Sequence, residues 1–500
     1  MCESLSIPLF DRARKHGDRA ALIATEGVFT YEDLMRASAD VAADLLQHDK
    51  DLNEARVAFL VPPGFRYVAA LWGIWRAGGL AVPLAVSHPR PELEYVVDDS
   101  EASIVAVAPE FEERLRPIAE ERSLRMITVD PDRPETPRPL PNVSPGRRAM
   151  IIYTSGTTGK PKGVVTTHEQ IQAQITTLVS AWGWKPDDHI LHVLPLHHVH
   201  GIVNILLCAL WSGAVCEIMP RFEADAVWDR MAQGDLTLFM GVPTIYSRLI
   251  SAWESLPEEE RHKASAGAAR LRLMVSGSAA LPVSILERWK EITGHVLLER
   301  YGMTEIGMAL SNPLHGDRVP GYVGRPLPHV SVRVVDEKHD TPVDAGRPGE
   351  LQVRGPGVFL EYWRRPEETE ASFSDGWFQT GDVVVVENGL YRILGRSSVD
   401  IIKTGGYKVS ALEIEETLRN HPLIAECAVV GISDEEWGQR VAAAVVLKPG
   451  EKLELADLRT WAKERLAPYK IPSKLLVTDA LPRNPMGKVM KNQVVRICDE

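Results

Sequence analysis

The sequence has little cysteine, and the few cysteines are scattered. Five occur in 500 residues, and no two of them form a CxxC pair. An odd, dispersed set is typical of free thiols in a reducing compartment. The first twenty residues also lack the apolar core of a secretory signal and carry acidic residues early. We therefore expect a cytoplasmic protein without a signal or transit peptide.

A long apolar run and an excess of basic residues are also absent. No run reaches the roughly 18 apolar residues that a membrane-spanning helix requires, so we expect no membrane partner. The net charge is −12 at pH 7. This balance argues against nucleic acid as the main partner, because phosphate binding normally needs a basic face. An acidic protein can still hold an anionic small molecule in a locally positive pocket. The sequence leaves a monomer and a homodimer equally open.

What is present is typical of a soluble globular protein, with 45% hydrophobic and 25% charged residues. At roughly 150 residues per domain, the length suggests more than one domain. Short apolar runs separated by helical lengths recur from RVAFLVPP (56–63) through HILHVLPL (189–196) to LRLMVSGSAALP (271–282). They predict an α/β fold with buried sheets. Thr30, with Asp33 three residues later, predicts the start of a capped helix.

The pattern changes after about residue 320, where short alternating strands with turn residues predict a small β-rich subdomain over about 320–396. A compact α+β pattern follows. We therefore predict a large domain at residues 1–397 and a small C-terminal domain at residues 398–500.

One loop combines glycine, hydroxyl side chains and lysine: TSGTTGKPKG, residues 154–163. Glycine lets the backbone approach a ligand, and successive N–H groups can form an anion-binding nest. Polyphosphate is the ligand that such a loop would bind. It is not a Walker A loop, because only two residues separate Gly156 from Gly159. Taken alone, the pattern fits a plain surface turn equally well.

Other short sequence fragments also indicate a nucleotide-binding site. In YGMTE (301–305), the hydroxyl of Thr304 beside the carboxylate of Glu305 suits phosphate together with Mg²⁺. Asp382 ends WFQTGD, where it could accept hydrogen bonds from ribose hydroxyls. Each fragment alone is weak, since Asp382 could cap a turn and Lys488 of PRNPMGK could be an ordinary surface lysine.

Five motifs follow one another along the chain: TSGTTGKPKG, YGMTE, TGD, GR…IKTGG and PRNPMGK. Their order and spacing resemble those of the adenylate-forming superfamily, which includes acyl-CoA synthetases, peptide-synthetase adenylation domains and luciferases. The resemblance covers essentially the whole chain. It implies a large adenylate-forming domain of α/β layers and a small mobile C-terminal domain. It also implies an AMP-forming acid–thiol ligase that uses ATP, Mg²⁺ and CoA, with a rotation of the small domain between two half-reactions.

The resemblance also implies roles for individual residues. Lys488, Thr304 and Glu305 would be catalytic, with Glu305 also holding Mg²⁺. The residues that bind ATP or AMP would be Thr154, Ser155, Gly156, Thr157, Thr158, Gly159, Lys162, Gly277, Ser278, Ala279, Glu299, Tyr301, Gly302, Asp382 and Arg396. Gly405 and Gly406 would border the CoA channel. Many relatives have a charged hinge residue three positions after the arginine. This chain has Val399 there, so we take the next residue, Asp400, as the hinge.

The acid to be activated is predicted from charge. A dicarboxylate needs a cation at its far end, because a buried unpaired carboxylate costs several kcal/mol. Arg248 and Arg300 stand in segments expected to line the acyl pocket, and His198 matches a pocket position of the relatives. Alternatively, Arg248 could face solvent and Arg300 could pair with Glu299 or Glu305.

The segments LPLHHVHGIVN, GVPTIYSRL and LLERYGMTEIGMALS resemble malonyl-CoA synthetases in particular. This resemblance implies malonate as the substrate, with methylmalonate as a second candidate. Three alternatives remain open at this point: a medium-chain or aryl acyl-CoA ligase, an adenylation enzyme that loads a carrier protein, and a nucleotide-binding protein without catalysis.

Overall fold

Thr30 begins the helix that the sequence predicts. Its hydroxyl accepts a hydrogen bond from the N–H of Asp33, and the Asp33 carboxylate accepts one from the N–H of Thr30. This capping box satisfies two backbone donors that a helix start leaves unpaired. The helix, Tyr31–Leu46, buries Leu34 and Val41 against the core. The prediction of the helix start is confirmed.

The computed structural model describes residues 7–130, 138–154, 160–336, 340–404, 407–434, 437–483 and 488–499. The strands of these residues, in chain order, are β1 Ala20–Ala24, β2 Gly27–Thr30, β3 Arg56–Leu60, β4 Leu80–Pro83, β5 Ile104–Val107, β6 Arg125–Thr128, β7 Arg148–Thr154, β8 Lys162–Thr167, β9 His189–His192, β10 Val215–Ile218, β11 Leu238–Gly241, β12 Leu273–Ser276, β13 Leu298–Met303, β14 Gly307–Ser311, β15 Arg325–Pro326, β16 Ser331–Val335, β17 Gly349–Arg354, β18 Glu361–Tyr362, β19 Phe373–Ser374, β20 Trp377–Glu387, β21 Leu390–Arg396, β22 Ile401–Thr404, β23 Tyr407–Ser410, β24 Ile424–Asp434, β25 Gly438–Leu447 and β26 Lys474–Val477.

The α-helices of the same residues are α1 Pro8–His16, α2 Tyr31–Leu46, α3 Phe65–Arg76, α4 Arg90–Asp99, α5 Glu112–Glu121, α6 His168–Ala181, α7 Cys208–Ser212, α8 Ala224–Ala232, α9 Pro243–Ser255, α10 Glu258–Ala268, α11 Val283–Thr293, α12 Pro366–Ala371, α13 Ala411–Arg419, α14 Leu455–Lys463 and α15 Lys491–Asp499. Two 3₁₀ turns, Pro109–Phe111 and Pro468–Lys470, and a π-helix, His200–Leu207, complete them. No helix among the described residues is both long enough and apolar enough to cross a membrane.

Four sheets organise these elements. The first has the strand order β15-β14-β13-β12-β11-β9-β10-β1-β2, and the second β18-β8-β7-β4-β3-β5-β6. The third is β16-β17-β20-β19 with β21 on β20, and the fourth is β23-β22-β25-β24 with β26 on β25. The predicted α/β fold is therefore confirmed. The third sheet occupies much of the region predicted to be β-rich, while the predicted domain bounds stay predictions.

The first sheet determines where a site can form. Its strands β9, β11, β12 and β13 run parallel, so their carboxyl ends meet at one edge. Gly241, Ser276 and Glu299 lie side by side there, at the ends of β11 and β12 and within β13. In open α/β sheets, ligands bind outside the carboxyl ends of the strands.

Strand β9 covers only the first half of the apolar run HILHVLPL (189–196), because it ends at His192. A turn follows, and the π-helix then begins at His200. The imidazole of His192 stabilises this early end, since its Nδ1 accepts a hydrogen bond from the N–H of Leu194 and its Nε2 lies 3.1 Å from the carbonyl oxygen of Gly201. His197 and His198 therefore lie between β9 and the π-helix, with ring centroids 4.1 Å apart.

Candidate active site

Strand β13 presents three consecutive polar side chains at the carboxyl edge of the first sheet: Glu299, Arg300 and Tyr301. Side chains alternate between the two faces of a strand. Arg300 therefore points away from the side that Glu299 and Tyr301 share. The contacts agree, because Arg300 reaches Ser278 while Tyr301 reaches Asp382.

Asp382, on β20, is held by two of the residues predicted to act with it. The hydroxyl of Tyr301 donates a hydrogen bond to Oδ2 over 2.5 Å, and Nε of Arg396 donates one to Oδ1 over 3.0 Å. Strands β20 and β21 pair Asp382 directly with Arg396, which fixes this contact in the backbone register. The structure thus brings Asp382, Arg396 and Tyr301 together, although Tyr301 lies 81 residues before Asp382 along the chain.

Glu305 is buried near this group. Burial raises the pKa of its carboxyl, and a hydrogen bond from the hydroxyl of Tyr362 to Oε1, 2.9 Å long, partly opposes that rise. Among the described residues, Arg396 acts on Glu305 only through its charge, without an ion-pair contact. A buried carboxylate with one hydroxyl partner suits a hard cation such as Mg²⁺, which binds oxygen ligands. Thr304 lies beside it in a half-buried turn.

The strands that flank the glycine-rich loop are described, but most of the loop is not. Thr154 ends β7 and pairs with Lys162 of β8. The predicted residues Ser155, Gly156, Thr157, Thr158 and Gly159 lie outside the described residues. The ammonium of Lys162 forms an ion pair with Glu368 and lies 5.2 Å from the ring centre of Tyr362. Lys162 is thus placed next to the tyrosine that binds Glu305.

Arg300 is the most unusual charged group of the site. Arg300 is only 3% exposed. Burial lowers the pKa of its guanidinium to about 9, so the side chain is still a cation at neutral pH. Its one described hydrogen bond runs from Nη2 to the hydroxyl oxygen of Ser278 over 3.3 Å. Nε has no partner, and no acidic side chain among the described residues pairs with it. The alternative in which Glu299 or Glu305 neutralises Arg300 is therefore wrong.

Gly277 makes room for this guanidinium. A Cβ atom at residue 277 would lie 2.5 Å from Nε and 2.6 Å from Cζ of Arg300, closer than real Cβ contacts allow. The next residue, Ser278, has a positive φ of 70°. Its hydroxyl oxygen lies 3.2 Å from Nδ1 of His200 as well as near Arg300. The Ser278 hydroxyl, predicted to bind the nucleotide, is thus turned towards the arginine, although residues 278 and 279 are both exposed.

Two histidines lie near this arginine, because Arg300 and His198 both act electrostatically on His200. Burial, followed by the charge of Arg300, holds the pKa of His200 well below its ordinary value. Burial lowers the pKa of His198 to about 4, with His88 adding to the effect. Both rings are therefore neutral at pH 7, and in each the buried Nε2 has no hydrogen-bond partner among the described residues. This group of residues thus combines one cation with two neutral imidazoles.

Arg248 lies on α9, the helix that Pro243 was predicted to begin. Its neighbours Ile245 and Leu249 are buried, whereas Arg248 is exposed. No hydrogen bond or ion pair of its side chain occurs within the described chain. Because α9 starts directly after β11, its first turns stand at the same sheet edge as Arg300. A role for Arg248 in the pocket stays a prediction.

Two further predicted residues have structural explanations. Gly302 allows β14 to come close, because a Cβ there would lie 2.1 Å from the carbonyl oxygen of Gly307. Glu299 accepts a hydrogen bond at Oε1 from the N–H of Gly321, 3.1 Å long. Burial raises the pKa of its carboxyl to about 8, and the nearby charge of Glu416 raises it further. Glu299 is therefore largely protonated at neutral pH.

The small C-terminal part contributes the remaining predicted residues. Lys488 is exposed. Burial alone would raise the pKa of Asp400, the predicted hinge residue, but Lys491 lowers it, and the charge of Lys488 adds a smaller lowering effect. The Asp400 carboxylate accepts a hydrogen bond from the N–H of Arg396 over 3.0 Å. Gly405 and Gly406 lie outside the described residues.

The site also includes residues that the sequence did not single out: Tyr362, Glu368 and Ser278 in its hydrogen-bonding role. Tyr362 and Glu368 lie far along the chain from the residues they contact, with no motif around them. His200 belonged to the noted HHVHG cluster, but only the π-helix turns it towards Ser278 and Arg300.

Replacing Glu299 with glutamine should remove a pH-dependent cost to stability. The folded chain holds a proton at Glu299 that the unfolded chain releases, so stability falls as pH rises from 4.5 to about 8. Glu299→Gln keeps the acceptor for Gly321. It should therefore gain stability relative to wild type across this window, by up to about 1.4 kcal/mol per pH unit. Urea unfolding at several pH values measures the difference. Glu291→Gln on the surface is the control, and a pH-independent difference would contradict the prediction.

Comparison with known proteins identifies the family. The model of the AMP-binding enzyme family matches residues 9–363, and that of the AMP-binding enzyme C-terminal domain matches residues 413–488. The chain is 49% identical to a mitochondrial malonate–CoA ligase of Bos taurus, ACSF3, over 98% of this chain and 90% of the relative. It is 40% identical to a malonate–CoA ligase of Arabidopsis thaliana, over 97% of this chain and 87% of the relative.

A solved structure is also similar throughout. The crystal structure of ATP-bound MatB from Rhodopseudomonas palustris superposes with a TM-score of 0.90 and 34% sequence identity, covering 98% of this chain and 99% of that chain. Since one family model spans most of the chain and full-length relatives are nearly half identical, the protein belongs to the family of AMP-binding enzymes.

Proposed function

We propose that this protein is an AMP-forming malonate–CoA ligase. It would join malonate to AMP at the expense of ATP, release diphosphate, and then transfer the malonyl group to the thiol of CoA. The names of its full-length relatives support this activity. The observation that carries it is Arg300, a buried cation of the acyl pocket that lacks an acidic partner within the described chain.

The chemistry of Arg300 favours an acid with a second carboxylate. A buried charge is costly unless it is paired, so Arg300 favours an anionic partner. Malonate has one carboxylate to be activated and one to be held. Arginine can hold a carboxylate by two parallel N–H···O bonds, and Nε of Arg300 is among the donors left open. Neutral His198 and His200 can add hydrogen bonds without adding charge.

The size and polarity of the ligand follow from the same residues. A fatty or aromatic acid would leave Arg300 buried beside a hydrocarbon surface, which is unfavourable. Arg248, exposed at the start of α9, would form a second contact with the distal carboxylate, or with that of methylmalonate. Acetate has no second carboxylate. Because no described acidic residue pairs with Arg300, bound acetate would leave this arginine without a counter-charge.

The adenylation step would depend on fixed positive charge. The attack of a carboxylate on the α-phosphorus brings anions together, and preorganised cations lower that barrier. Lys488 would stand at the oxygens that join the carboxylate and the phosphate. Asp382 and Arg396 would hold the ribose, Tyr301 would lie beside the nucleotide, and Thr154–Lys162 would surround the outer phosphates. Glu305 would hold Mg²⁺, which supplies charge neutralisation to the diphosphate when bound.

The second half-reaction would require Lys488 to leave and the CoA thiol to enter beside Gly405 and Gly406. A rotation of the small domain about the residues near Asp400 would exchange the two faces. We propose cytoplasm as the compartment because free thiols indicate a reducing environment; the Bos taurus relative, by contrast, is named as mitochondrial.

A panel of acids tests the proposal directly. Purified protein with Mg-ATP and CoA should release AMP rapidly with malonate, more slowly with methylmalonate, and little with acetate, octanoate or benzoate. Mass spectrometry of the thioester identifies the product. A preference for octanoate or benzoate would contradict the dicarboxylate pocket and indicate a different acyl-CoA ligase. AMP release that needs a carrier protein in place of CoA would indicate the carrier-loading alternative.

Arg300→Ala should reduce kcat/KM for malonate by at least about 100-fold, because losing one partner of a buried ion pair costs roughly 3 kcal/mol or more. The already low activity on acetate should change little. Arg288→Ala, which removes an exposed arginine paired with Glu254, is the matched control. Unchanged malonate activity in Arg300→Ala would refute the pocket.

Gly277→Ala tests the same pocket without removing a charge. The added methyl group would occupy the space of the Arg300 guanidinium and displace it. We expect a raised KM for malonate together with a nearly unchanged KM for ATP, measured by AMP release. If the KM for ATP rises instead, residue 277 acts mainly on the nucleotide.

A further inference from the structure

Lys491 is a buried lysine close to the predicted catalytic lysine. It is the first residue of α15 and stands three residues after Lys488. Its side chain is only 10% exposed, whereas Lys488 is exposed. Lysine is rarely buried in proteins unless it is paired, so its surroundings must explain its position.

Two carboxylates surround the ammonium of Lys491. Its Nζ lies 2.6 Å from Oδ1 of Asp400 and 2.7 Å from Oε1 of Glu415. Burial alone would lower the pKa of Lys491, but Glu415 and Asp400 together raise it above its ordinary value. Glu415 is itself fixed, because Oε1 also accepts the N–H of Val429 over 2.8 Å. Lys491 is therefore charged and held in one place.

Asp400 connects this lysine to the nucleotide side of the site. One of its carboxylate oxygens pairs with Lys491, and the other accepts the N–H of Arg396 over 3.0 Å. The Arg396 side chain in turn binds Asp382. The main chain of Asp400 belongs to the small sheet region, since its carbonyl oxygen accepts the N–H of Ala411 at the start of α13. A continuous series of contacts thus runs from Asp382 through Arg396 and Asp400 to Lys491.

The backbone next to Lys488 is attached in two directions. The neighbouring Val489 forms an isolated β-bridge with Arg483, and the N–H of Met490 binds the carbonyl oxygen of Pro482 over 2.8 Å. These contacts, and the packing of Val489 on the apolar cluster between β24, β25 and α15, hold the segment within the small part of the chain. The ion pair between Lys491 and Asp400 instead ties it to the connection between the large and small parts of the chain. This ion pair therefore helps to set where the segment stands relative to Asp382 and Arg396.

We propose that Lys491 is a positioning residue for the adenylation half-reaction: through its ion pair with Asp400 it places Lys488 relative to the Asp382–Arg396 pair. This proposal rests on the proposed function, which makes Lys488 the cation of adenylation. Buried ion pairs add little net stability compared with apolar packing. The ion pair between Lys491 and Asp400 would instead act by fixing the position of Lys488. A displacement of about 1 Å in a catalytic group can lower the rate about 100-fold.

Separate assays of the two half-reactions test the proposal. Adenylation is followed as malonate-dependent exchange of labelled diphosphate into ATP. Thioester formation is followed from synthetic malonyl adenylate and CoA, a step that does not need Lys488. Lys491→Met should slow the exchange by about 100-fold, with the KM for ATP little changed, and leave the CoA step nearly intact. Lys488→Met provides the reference pattern, and the full-length chain is used throughout.

Matched variants separate positioning from folding. Lys470→Met removes an ion pair with Glu413 on the same part of the chain, 2.6 Å long, and should leave both half-reactions unchanged. If Lys491→Met does not fold, as judged by thermal unfolding, Lys491→Gln replaces it, since glutamine removes the charge but keeps a polar side chain between Asp400 and Glu415. Lys491→Gln should show the same selective loss of exchange.

Equal losses in both half-reactions, or no loss in either, would overturn the proposal, because Lys491 would then serve only the fold or nothing at all. If wild-type protein exchanges diphosphate with another acid in place of malonate, the malonate assignment fails. The Lys491 comparison is then made with that acid and its adenylate, so the two failures are distinguishable.

Discussion

The alternation of side chains along β13 is the constraint from which the rest of the site follows. Neighbouring residues of a strand must point to opposite faces, so Arg300 and Tyr301 cannot serve the same compartment. Arg300 enters a pocket with Ser278 and His200, while Tyr301 binds Asp382 on the other side. One strand thereby directs a buried cation to one side and the Tyr301–Asp382 contact to the other. In the proposed function these two sides hold the acid and the nucleotide.

Burial without pairing gives the site its chemical character. Arg300, Glu305 and Glu299 are all nearly excluded from solvent, yet no described ion pair neutralises them. The three groups differ in charge and in hydrogen bonding. Glu299 retains its proton, Arg300 remains charged, and Glu305 accepts a hydrogen bond from the hydroxyl of Tyr362. Groups held in a dry environment interact strongly with incoming charge because water does not screen them. Such a site can stabilise a crowded anionic transition state without forming a covalent bond to it.

The connection between the two parts of the chain is polar and directional. Asp400 binds Arg396 on one side and Lys491 on the other, and Val283 of the large part donates its N–H to Glu416 of α13. Interfaces of this kind are easier to exchange than apolar ones, because water can replace their hydrogen bonds at modest cost. Such contacts would suit the rotation of the small domain that we propose.

The sequence by itself determined the class of fold and the chemistry. Hydrophobic periodicity predicted the α/β layers, Thr30 with Asp33 predicted a helix start, and the motifs around Thr304, Asp382 and Lys488 indicated an adenylate-forming enzyme. These features are local, so a short window of residues contains them. The tertiary structure alone decided which side chains contact each other. Ser278 binds Arg300, and Tyr362 binds Glu305. The π-helix brings His200 to Ser278, and Lys491 pairs with Asp400. Those contacts join residues far apart in the chain, and burial, which sets their charge states, exists only after the chain has folded.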